Sequence, residues 1–451
     1  MRPQFHFSPQ SGWINDPNGA IRVDGVYHLF YQANPDGIVH GPMHWGHATS
    51  TDLANWTEQP IALYPEASGQ CFSGSAVLAG DGNVASEFGA GDGVLLFYTA
   101  HRESPRWIED QAVAIADRGM TSFRKFAGNP VLPTPGPRDF RDPKVIWHAA
   151  TARWIMVVTH GQSIGFYSSP DALSWQFESE FAEGRHDPAQ NPGPWECPDL
   201  FPMRVQGTEE TAWILVVGLG RGHISGGSGT QYFVGDFDGH TFRNRNAPDL
   251  ELFMDWGRDY YAAQTFSGMA GEDPLAIAWM SNWMYANHTP QTEFRGSMNL
   301  PRRLRLADGP EGLRLAQHVD ESAARHFPEL IGTVPDSAIY RLRHSWHGAE
   351  GGQLALSLFD ETDPVLVVER KGGNAYEVTF LRKGHPGIEA ARGYASRFSF
   401  AAVVEGAFDL EVFVDNGLVE IGCAGGRHWV SNLYFPADPA GAVTIAGSGG
   451  T

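Results

Sequence analysis

A degenerate motif that recurs along the first half of the chain constrains the fold more than any other feature of the sequence. The segment at residues 50–56 (STDLANW) resembles the one at 169–177, and looser copies occupy 117–123 and 236–242. The aromatic residues that close the four copies are 67, 54 and 65 positions apart. A repeat of this length, filled with short strands and turns, is typical of propeller blades. About 300 residues at that period predict five blades.

The apolar segments between the copies are short and strand-like. They lie at residues 94–98, 112–116, 154–158, 213–217 and 275–279, and each is bounded by Gly, Pro, Asp or Asn. Several are rich in β-branched and aromatic residues, and long helical periodicity is absent. The chain is therefore predicted to be all-β.

The pattern changes near residue 304, where a predicted hairpin joins residues 303–306 to 313–315. A polar stretch follows, which we interpret as one short helix or a linker. Alternating strands then resume near residue 339, and Asn416-Gly417 is a strong signal for a two-residue β-hairpin between two of them. The prediction is a five-bladed β-propeller at residues 1–305, a linker at 306–335 and a β-sandwich at 336–451.

Charge and cysteine content exclude several classes of protein. A formal net charge of −20 argues against nucleic acid or an anionic membrane as partner, since both need clustered Lys and Arg. Cys71, Cys197 and Cys423 fit neither a disulfide framework nor a zinc site. No apolar signal-peptide region and no membrane-spanning apolar run is present. We expect a cytoplasmic protein without metal or cofactor, or a secreted one if a signal peptide was removed.

Three acidic residues stand in turn-rich segments. Asp16 lies in WINDPNG, Asp142 in FRDP and Glu196 in WECPD. An acid beside Pro and Gly is usually a turn former that caps nearby backbone groups. A retaining glycosidase, however, needs two carboxyl groups about 5 to 5.5 Å apart, one ionised as nucleophile and one protonated as acid. Equivalent strand ends of a propeller converge on its axis, where acids from blades one, three and four could meet.

These motifs, with others in the same order, resemble glycoside hydrolase family 32, which comprises invertases, levanases, inulinases and sucrose-6-phosphate hydrolases. The matching segments cover nearly the whole chain: WINDPNG, FYQ, WGHA, FSGS, RDP, ECPD, DYYAAQ, WMSNW and MNLPR, with residues 412–421 in the tail. The resemblance implies a five-bladed propeller followed by a β-sandwich. It also implies an exo-acting β-fructofuranosidase that releases terminal β-D-fructofuranosyl units from sucrose or fructans.

The resemblance implies a role for each residue of the site. Asp16 would attack the anomeric carbon of the fructosyl unit, and Glu196 would protonate the leaving oxygen and then activate water. Asp142, with Arg141, would hold the fructose hydroxyls and stabilise the oxocarbenium-like transition state. The other residues implied to line the fructose pocket are Asn15, Gln32, Phe72, Ser73, Tyr261 and Trp283.

One loop departs from the family pattern and leaves the substrate preference open. The family commonly has a Trp before the WGHA motif, whereas residues 35–43 contain none and His40 takes that place. Fructosyl transfer and sucrose-6-phosphate hydrolysis would use the same acids, although the second needs a basic phosphate pocket. A non-catalytic sugar-binding module is disfavoured because all three acids are present. An inverting propeller enzyme is disfavoured by the NDPNG segment and the sandwich tail.

Overall fold

The computed structural model describes residues 2–84, 88–89, 91–136, 139–183, 193–269, 271–359 and 363–448. Within these ranges the protein consists almost entirely of β-strands, arranged in seven sheets. The one described α-helix is short (Glu321–Ala324), and three 3-10 turns lie at Asp81–Asn83, Ala286–His288 and Ala390–Arg392. The predicted all-β class is confirmed.

Five sheets follow one another along the first 319 residues; each has four antiparallel strands, and two of them have one further short strand. Blade one contains β1 (Gly12–Val23), β2 (Val26–Asn34), β3 (His44–Ser50) and β4 (Thr57–Leu63). Blade two contains β5 (Gln70–Leu78), β6 (Val94–Arg102), β7 (Ile108–Ala116) and β8 (Phe123–Lys125). Blade three contains β9 (Lys144–His148), β10 (Arg153–Thr159), β11 (Ile164–Ser169) and β12 (Gln176–Phe181).

The two additional short strands belong to the sheets of blades four and one. Blade four contains β13 (Trp195–Arg204), β14 (Thr211–Leu219), β15 (Gly229–Phe237) and β16 (Phe242–Asn244), with β17 (Leu252–Phe253) beside β15. Blade five begins with β18 (Tyr261–Thr265) and β19 (Leu275–Trp279). The chain then forms β20 (Phe294–Arg295), which pairs in parallel with β1, and returns as β21 (Arg302–Ala307) and β22 (Arg314–Val319). Strand β20 thus links the end of the propeller to its beginning.

The five sheets close into a ring. Their first strands, β1, β5, β9, β13 and β18, each contact the first strands of the two neighbouring blades. A separate cluster of buried apolar residues fills each interface between blades. Representative pairs, in order round the ring, are Trp45 with Leu96, Phe97 with Trp154, Ile155 with Leu215, Ile214 with Leu304, and Trp279 with Trp13. The five-bladed propeller predicted from the repeat is confirmed.

The repeated motif is the turn that leads into the outermost strand of each of the first four blades. An aspartate in every copy accepts a backbone N–H a few residues further on. The accepting residues are Asp52, Asp117, Asp171 and Asp238, with N···O distances of 2.8, 2.6, 2.7 and 2.7 Å. An Asp that bonds its own following backbone mimics a turn, so the motif recurs wherever the blade needs this bend.

The C-terminal domain is a sandwich of two antiparallel sheets. Its strands are β23 (Ile339–Trp346), β24 (Gln353–Ser357), β25 (Leu366–Gly372), β26 (Ala375–Arg382), β27 (Ser396–Val403), β28 (Phe408–Asp415), β29 (Leu418–Cys423), β30 (His428–Leu433) and β31 (Thr444–Gly447). One sheet has the order β23-β28-β29-β30 and the other β27-β26-β25-β24-β31. Asn416 and Gly417 have φ angles of 51° and 91°, as a two-residue primed turn requires, so the predicted hairpin is confirmed.

The hairpin near residue 304 belongs to the propeller. Strand β21 pairs with β19, and β22 is the outermost strand of blade five, so the boundary predicted at residue 305 falls inside β21. We propose Val319 as the end of the propeller. Asp320 then caps the short helix by accepting the N–H of Ser322 (2.9 Å). No helix in the described ranges is long and apolar enough to cross a membrane.

Propeller and sandwich share a buried interface that carries charges. Arg302 on β21 donates to Asp255 (3.0 Å) and also pairs with Glu420 on β29. His6 bridges Asp415 (2.9 Å) and Glu420 (3.0 Å). We call these five residues the interface cluster. All five are buried, and each pair that they form joins residues far apart in the sequence.

Candidate active site

Asp16 lies on the innermost strand of blade one. A β-bulge between Ile14 and Pro17 interrupts the pairing of β1 with β2 at this position, and such bulges commonly redirect a side chain. The carboxyl is buried, and its Oδ2 accepts the Ser73 hydroxyl (2.7 Å) from β5 of the neighbouring blade. Burial raises the pKa of Asp16, while the hydrogen bonds of Ser73 and Asn15 oppose that rise.

Asp142 immediately precedes β9, the innermost strand of blade three. Its φ of 64° is unusual for a residue with a side chain and indicates backbone strain, which is often found at functional sites. The strained turn is held by Thr99 Oγ1, which accepts the Asp142 N–H (3.0 Å). The buried carboxyl accepts the N–H of Cys197 (2.9 Å). Burial raises the pKa of Asp142 to about 7; Arg141 opposes the shift, whereas Glu196 and Asp16 add to it.

Glu196 lies near the start of β13 in blade four, where a second bulge interrupts the pairing with β14. Its side chain is 21% exposed, so it is the most accessible of the three acids. Arg141 Nη2 donates to Oε1 (2.9 Å), and the hydroxyl of Tyr261 on β18 donates to Oε2. The acid of blade four is therefore held from blade three and blade five.

The structure brings the three predicted acids together at one end of the ring. The thiol of Cys197 lies 3.3 Å from Asp16 Oδ2 and 3.6 Å from Asp142 Oδ2, and Glu196 is its neighbour in sequence. Arg141 is the cation that faces this group. We call Asp16, Asp142, Glu196 and Arg141 the catalytic cluster, after the role that we propose for it below. Its acids come from blades one, three and four, as the propeller geometry predicted.

Some of the residues expected to line the pocket contact the acids of this cluster, and the others bond or stack with different partners. Gln32 Nε2 donates to the carbonyl of Cys71 (2.9 Å), and Asn15 Oδ1 accepts the Trp13 indole N–H (2.7 Å). Phe72 stacks on His101 with ring centroids 4.0 Å apart, and Trp283 stacks on Trp13 at 6.1 Å. Ser73 and Tyr261 contact Asp16 and Glu196 directly. The lining of one pocket by these polar groups and aromatic rings stays a prediction, and their composition would suit a sugar.

The comparison with known proteins decides the family. The domain described as Glycosyl hydrolases family 32 N-terminal domain matches residues 6–318. The chain belongs to glycosyl hydrolase family 32. The protein is thus a glycoside hydrolase, and the resemblance seen in the sequence motifs is confirmed.

Individual members of family 32 extend this finding. A levanase of Bacillus subtilis is 40% identical over 400 residues, which cover 88% of this chain and 55% of that protein. This chain thus spans about half the length of that levanase. An extracellular exo-inulinase of Aspergillus niger is 33% identical over an alignment that covers 100% of this chain and 92% of that protein. The crystal structure of exo-inulinase from Aspergillus awamori has a TM-score of 0.88 at 29% identity, covering 100% of this chain and 96% of that one.

His40, where the sequence departs from family 32, lies at the rim of the pocket. Its ring stands edge-on to Trp283 and Trp13, with centroids 5.5 and 6.3 Å away. Its backbone N–H donates to Asn287 Oδ1 (3.0 Å), which fixes the loop. Burial lowers the pKa of His40 and the charge of Glu196 opposes this, so the ring is mainly neutral near pH 7.

Two site features of this family 32 member were missed from the sequence. The thiol of Cys197 touches two of the acids, which a lone cysteine in the sequence does not indicate. The second feature is the pair of glycines at 218 and 220. Gly218 lies in β14, and a side chain at Gly220 would begin 2.6 Å from Glu196 Oε2. Glycine in or beside a strand often marks a place where another group approaches the backbone closely. Here that group is the carboxyl of Glu196, and the Gly-x-Gly spacing is its signal in the sequence.

A metal site is absent from the part of the chain that the structure describes. There, no group of three or more His, Cys, Asp or Glu side chains could hold a metal ion. His44 and His47, which could suggest a metal pair, bond to other partners: His47 Nε2 lies 3.0 Å from His28 Nδ1, and His44 Nδ1 lies 3.0 Å from the carbonyl of Pro42.

Proposed function

We propose that this family 32 enzyme is an exo-acting β-fructofuranosidase that releases terminal fructofuranosyl units from fructans and sucrose with retention of configuration. Asp16 is the nucleophile, and Glu196 is the general acid and then the general base. Asp142, with Arg141, stabilises charge at the fructosyl ring. Relatives named levanase and exo-inulinase support the substrate class.

The observation that carries the proposal is the convergence of three acids from three blades on one thiol and one guanidinium. Asp16 is buried and oriented by Ser73, which suits a nucleophile that must point in one direction. Glu196 is more exposed, which suits a group that meets the leaving oxygen and later a water molecule. The two roles therefore match two different environments, the usual basis of a division between two carboxyl groups.

The charge balance of the catalytic cluster supplies the proton that the first step needs. Arg141 pairs with Glu196 (2.9 Å) and Asp142 (3.9 Å), and the like charges of the three acids, so close together, cannot all ionise easily. Burial first, and then the charges of Glu196 and Asp16, raise the pKa of Asp142 to about 7. The cluster therefore retains a proton near neutral pH. In the proposed mechanism Glu196 gives a proton to the leaving oxygen in the first step and takes one back from water in the second.

The roles of the remaining residues follow from their chemistry. Ser73, Gln32 and Asn15 offer hydroxyl and amide groups to a neutral, hydroxyl-rich sugar. Phe72 and Trp283 offer aromatic faces, which commonly support sugar rings. The cytoplasmic location expected from the N-terminus stays a prediction, because the relatives include a protein named as extracellular.

The experiment that tests the proposal is product analysis on levan, inulin, sucrose and sucrose-6-phosphate in parallel. We expect free fructose from both polymers without intermediate oligomers, and release of the β-anomer first. Oligosaccharide products longer than the substrate would instead assign fructosyl transfer. A preference for sucrose-6-phosphate over sucrose would assign the phosphorylated substrate. Initial release of the α-anomer would contradict the retaining mechanism.

A further inference from the structure

Glu109 is a buried carboxylate that the mechanism above does not use. It lies on β7 of blade two, and its exposed fraction is 0%. Oε2 accepts the N–H of Phe140 (2.8 Å); Oε1 accepts Nη1 of Arg141 (3.2 Å) and lies 3.4 Å from His101 Nδ1. Burial raises the pKa of Glu109, but His101 and Arg141 outweigh it and lower the pKa to about 2. Glu109 is thus a permanent negative charge that no substrate can touch.

Arg141 connects Glu109 to the catalytic cluster. Nη1 donates to Glu109 and to Asp139 (2.6 Å), while Nη2 donates to Glu196 Oε1 (2.9 Å). The guanidinium is planar and rigid, so carboxylates that fix one edge also fix the direction of the other. Blade two therefore determines how Arg141 meets the carboxyl of Glu196 in blade four.

The charge of Glu109 matters as well as its position. An unopposed guanidinium at 2.9 Å would strongly favour the ionised form of Glu196, which cannot act as an acid. Glu109 and Asp139 share the positive charge of Arg141 and so weaken that preference. The other groups that face Glu196 are Tyr261, His40, Asp16, Asp142 and Cys197.

We propose that Glu109 is a positioning residue of the reaction, which acts through Arg141 to orient Glu196 and to keep the acid proton on it. The proposal rests on the proposed role of Glu196 as acid and base. The pH at which activity falls on the alkaline side, the alkaline limb of the activity profile, then depends on a residue that is outside the pocket and fully buried.

The test is the pH dependence of kcat/KM for Glu109→Gln, Glu109→Asp and a neutral control. Glu109→Gln removes the charge but keeps the size, and we expect its alkaline limb to move to lower pH by about one unit. Glu109→Asp keeps the charge, and we expect the limb to return to its original position, with a lower kcat. The control is Gln111→Met: Gln111, on the same strand, anchors the same loop through the carbonyl of Phe140 (2.9 Å) and carries no charge. We expect the control to lower kcat without moving the limb.

A second variant keeps the proposal testable if Glu109→Gln does not fold. Asp139 is partly exposed and also pairs with Arg141, so Asp139→Asn should move the limb in the same direction by less. Profiles of both variants that superimpose on the unaltered enzyme after scaling would overturn the inference, because a purely structural role lowers activity at every pH. Near-normal activity of Glu196→Gln would instead reject the proposed function itself.

Discussion

The catalytic cluster and the interface cluster each hold three carboxyl groups, but they differ in the number of cations that face them. Among the residues that the structure describes, Arg302 and His6 pair with the acids of the interface cluster, whereas Arg141 is the one cation that pairs with the acids of the catalytic cluster. Burial raises the pKa of Glu420, but Arg302 and His6 outweigh it and lower the pKa to about 2. In the catalytic cluster burial prevails, and the pKa of Asp142 rises to about 7.

The difference teaches that the paired charges, and not burial alone, decide whether a carboxyl group supports the fold or stays available for chemistry. Asp255 marks the limit of this rule. It belongs to the interface cluster and pairs with Arg302, yet burial still raises its pKa. For Asp255, as for Asp142, a single shared cation does not lower the pKa enough to offset the rise caused by burial.

The largest expected effect is on turnover in the catalytic cluster. Asp16→Asn and Glu196→Gln should each lower kcat by at least about 10³-fold, because nucleophile and acid/base are each essential. Both variants should keep their melting temperatures within a few degrees of the unaltered enzyme. The control is Asp336→Asn, an exposed carboxylate outside both clusters, which should retain full activity. An active Asp16→Asn enzyme would contradict the assignment.

The next largest effect should appear in the interface cluster, on stability. Glu420→Gln removes one of the two charged partners of both Arg302 and His6 and should lower the free energy of unfolding by about 3 to 5 kcal/mol. Because the folded pKa of Glu420 lies near 2, below its ordinary value of 4.5, the loss should be complete above pH 4.5 and shrink as the pH falls through about 2. Urea unfolding at several pH values measures it.

A matched control for that prediction lies on the neighbouring strand β28. Glu411 pairs with Arg341 and Arg343 but is partly exposed, so Glu411→Gln should cost no more than about 1 kcal/mol. Equal losses of unfolding free energy in Glu411→Gln and Glu420→Gln would show that the buried network stabilises the fold no more than a partly exposed ion pair does.

Much of this account could be predicted from the sequence, and the reason lies in local patterns. A few neighbouring residues are enough to identify each of three features: the turn aspartates, the Asn416-Gly417 hairpin and the segments around the three acids. Glu109 and the interface cluster could not be read, since Glu109 lies in an ordinary strand and His6 meets Glu420 across 414 positions. The predicted boundary at residue 305 divides the hairpin of β21 and β22, because the pairing of β21 with β19 leaves no mark in its own sequence.

Asp142 should change the pH dependence of stability in the opposite direction to Glu420, and by a smaller amount. Its folded pKa of about 7 lies above its ordinary value of 3.8, so its contribution to stability is present below pH 3.8 and is lost as the pH rises through about 7. Asp142→Asn removes this loss and should be more stable than the unaltered enzyme at pH 8 by about 1 to 3 kcal/mol. Thermal unfolding at pH 4 and pH 8 checks the sign. An Asp142→Asn variant that is less stable than the unaltered enzyme at pH 8 would contradict the contrast between the catalytic cluster and the interface cluster.

The smallest effect concerns the rim. His40 is smaller and more polar than the Trp common in the family, and we expect it to hydrogen-bond the leaving-group sugar instead of stacking on it. His40→Trp and His40→Ala should change the ratio of kcat/KM between sucrose and a longer fructan by up to about ten-fold, equivalent to about 1.4 kcal/mol. Ratios within about two-fold of the original in both variants would remove His40 from substrate selection.

The most direct test of the central claim is to trap the fructosyl unit on the enzyme. Glu196→Gln lacks the base for the second step, so a β-fructoside with a leaving group that needs no acid should let the first step proceed and then stall. Quenching and peptide mass mapping should find a fructosyl adduct on Asp16, absent from Asp16→Asn. A stalled enzyme that carries its adduct on another residue, or one that releases the α-anomer without any adduct, would contradict the account.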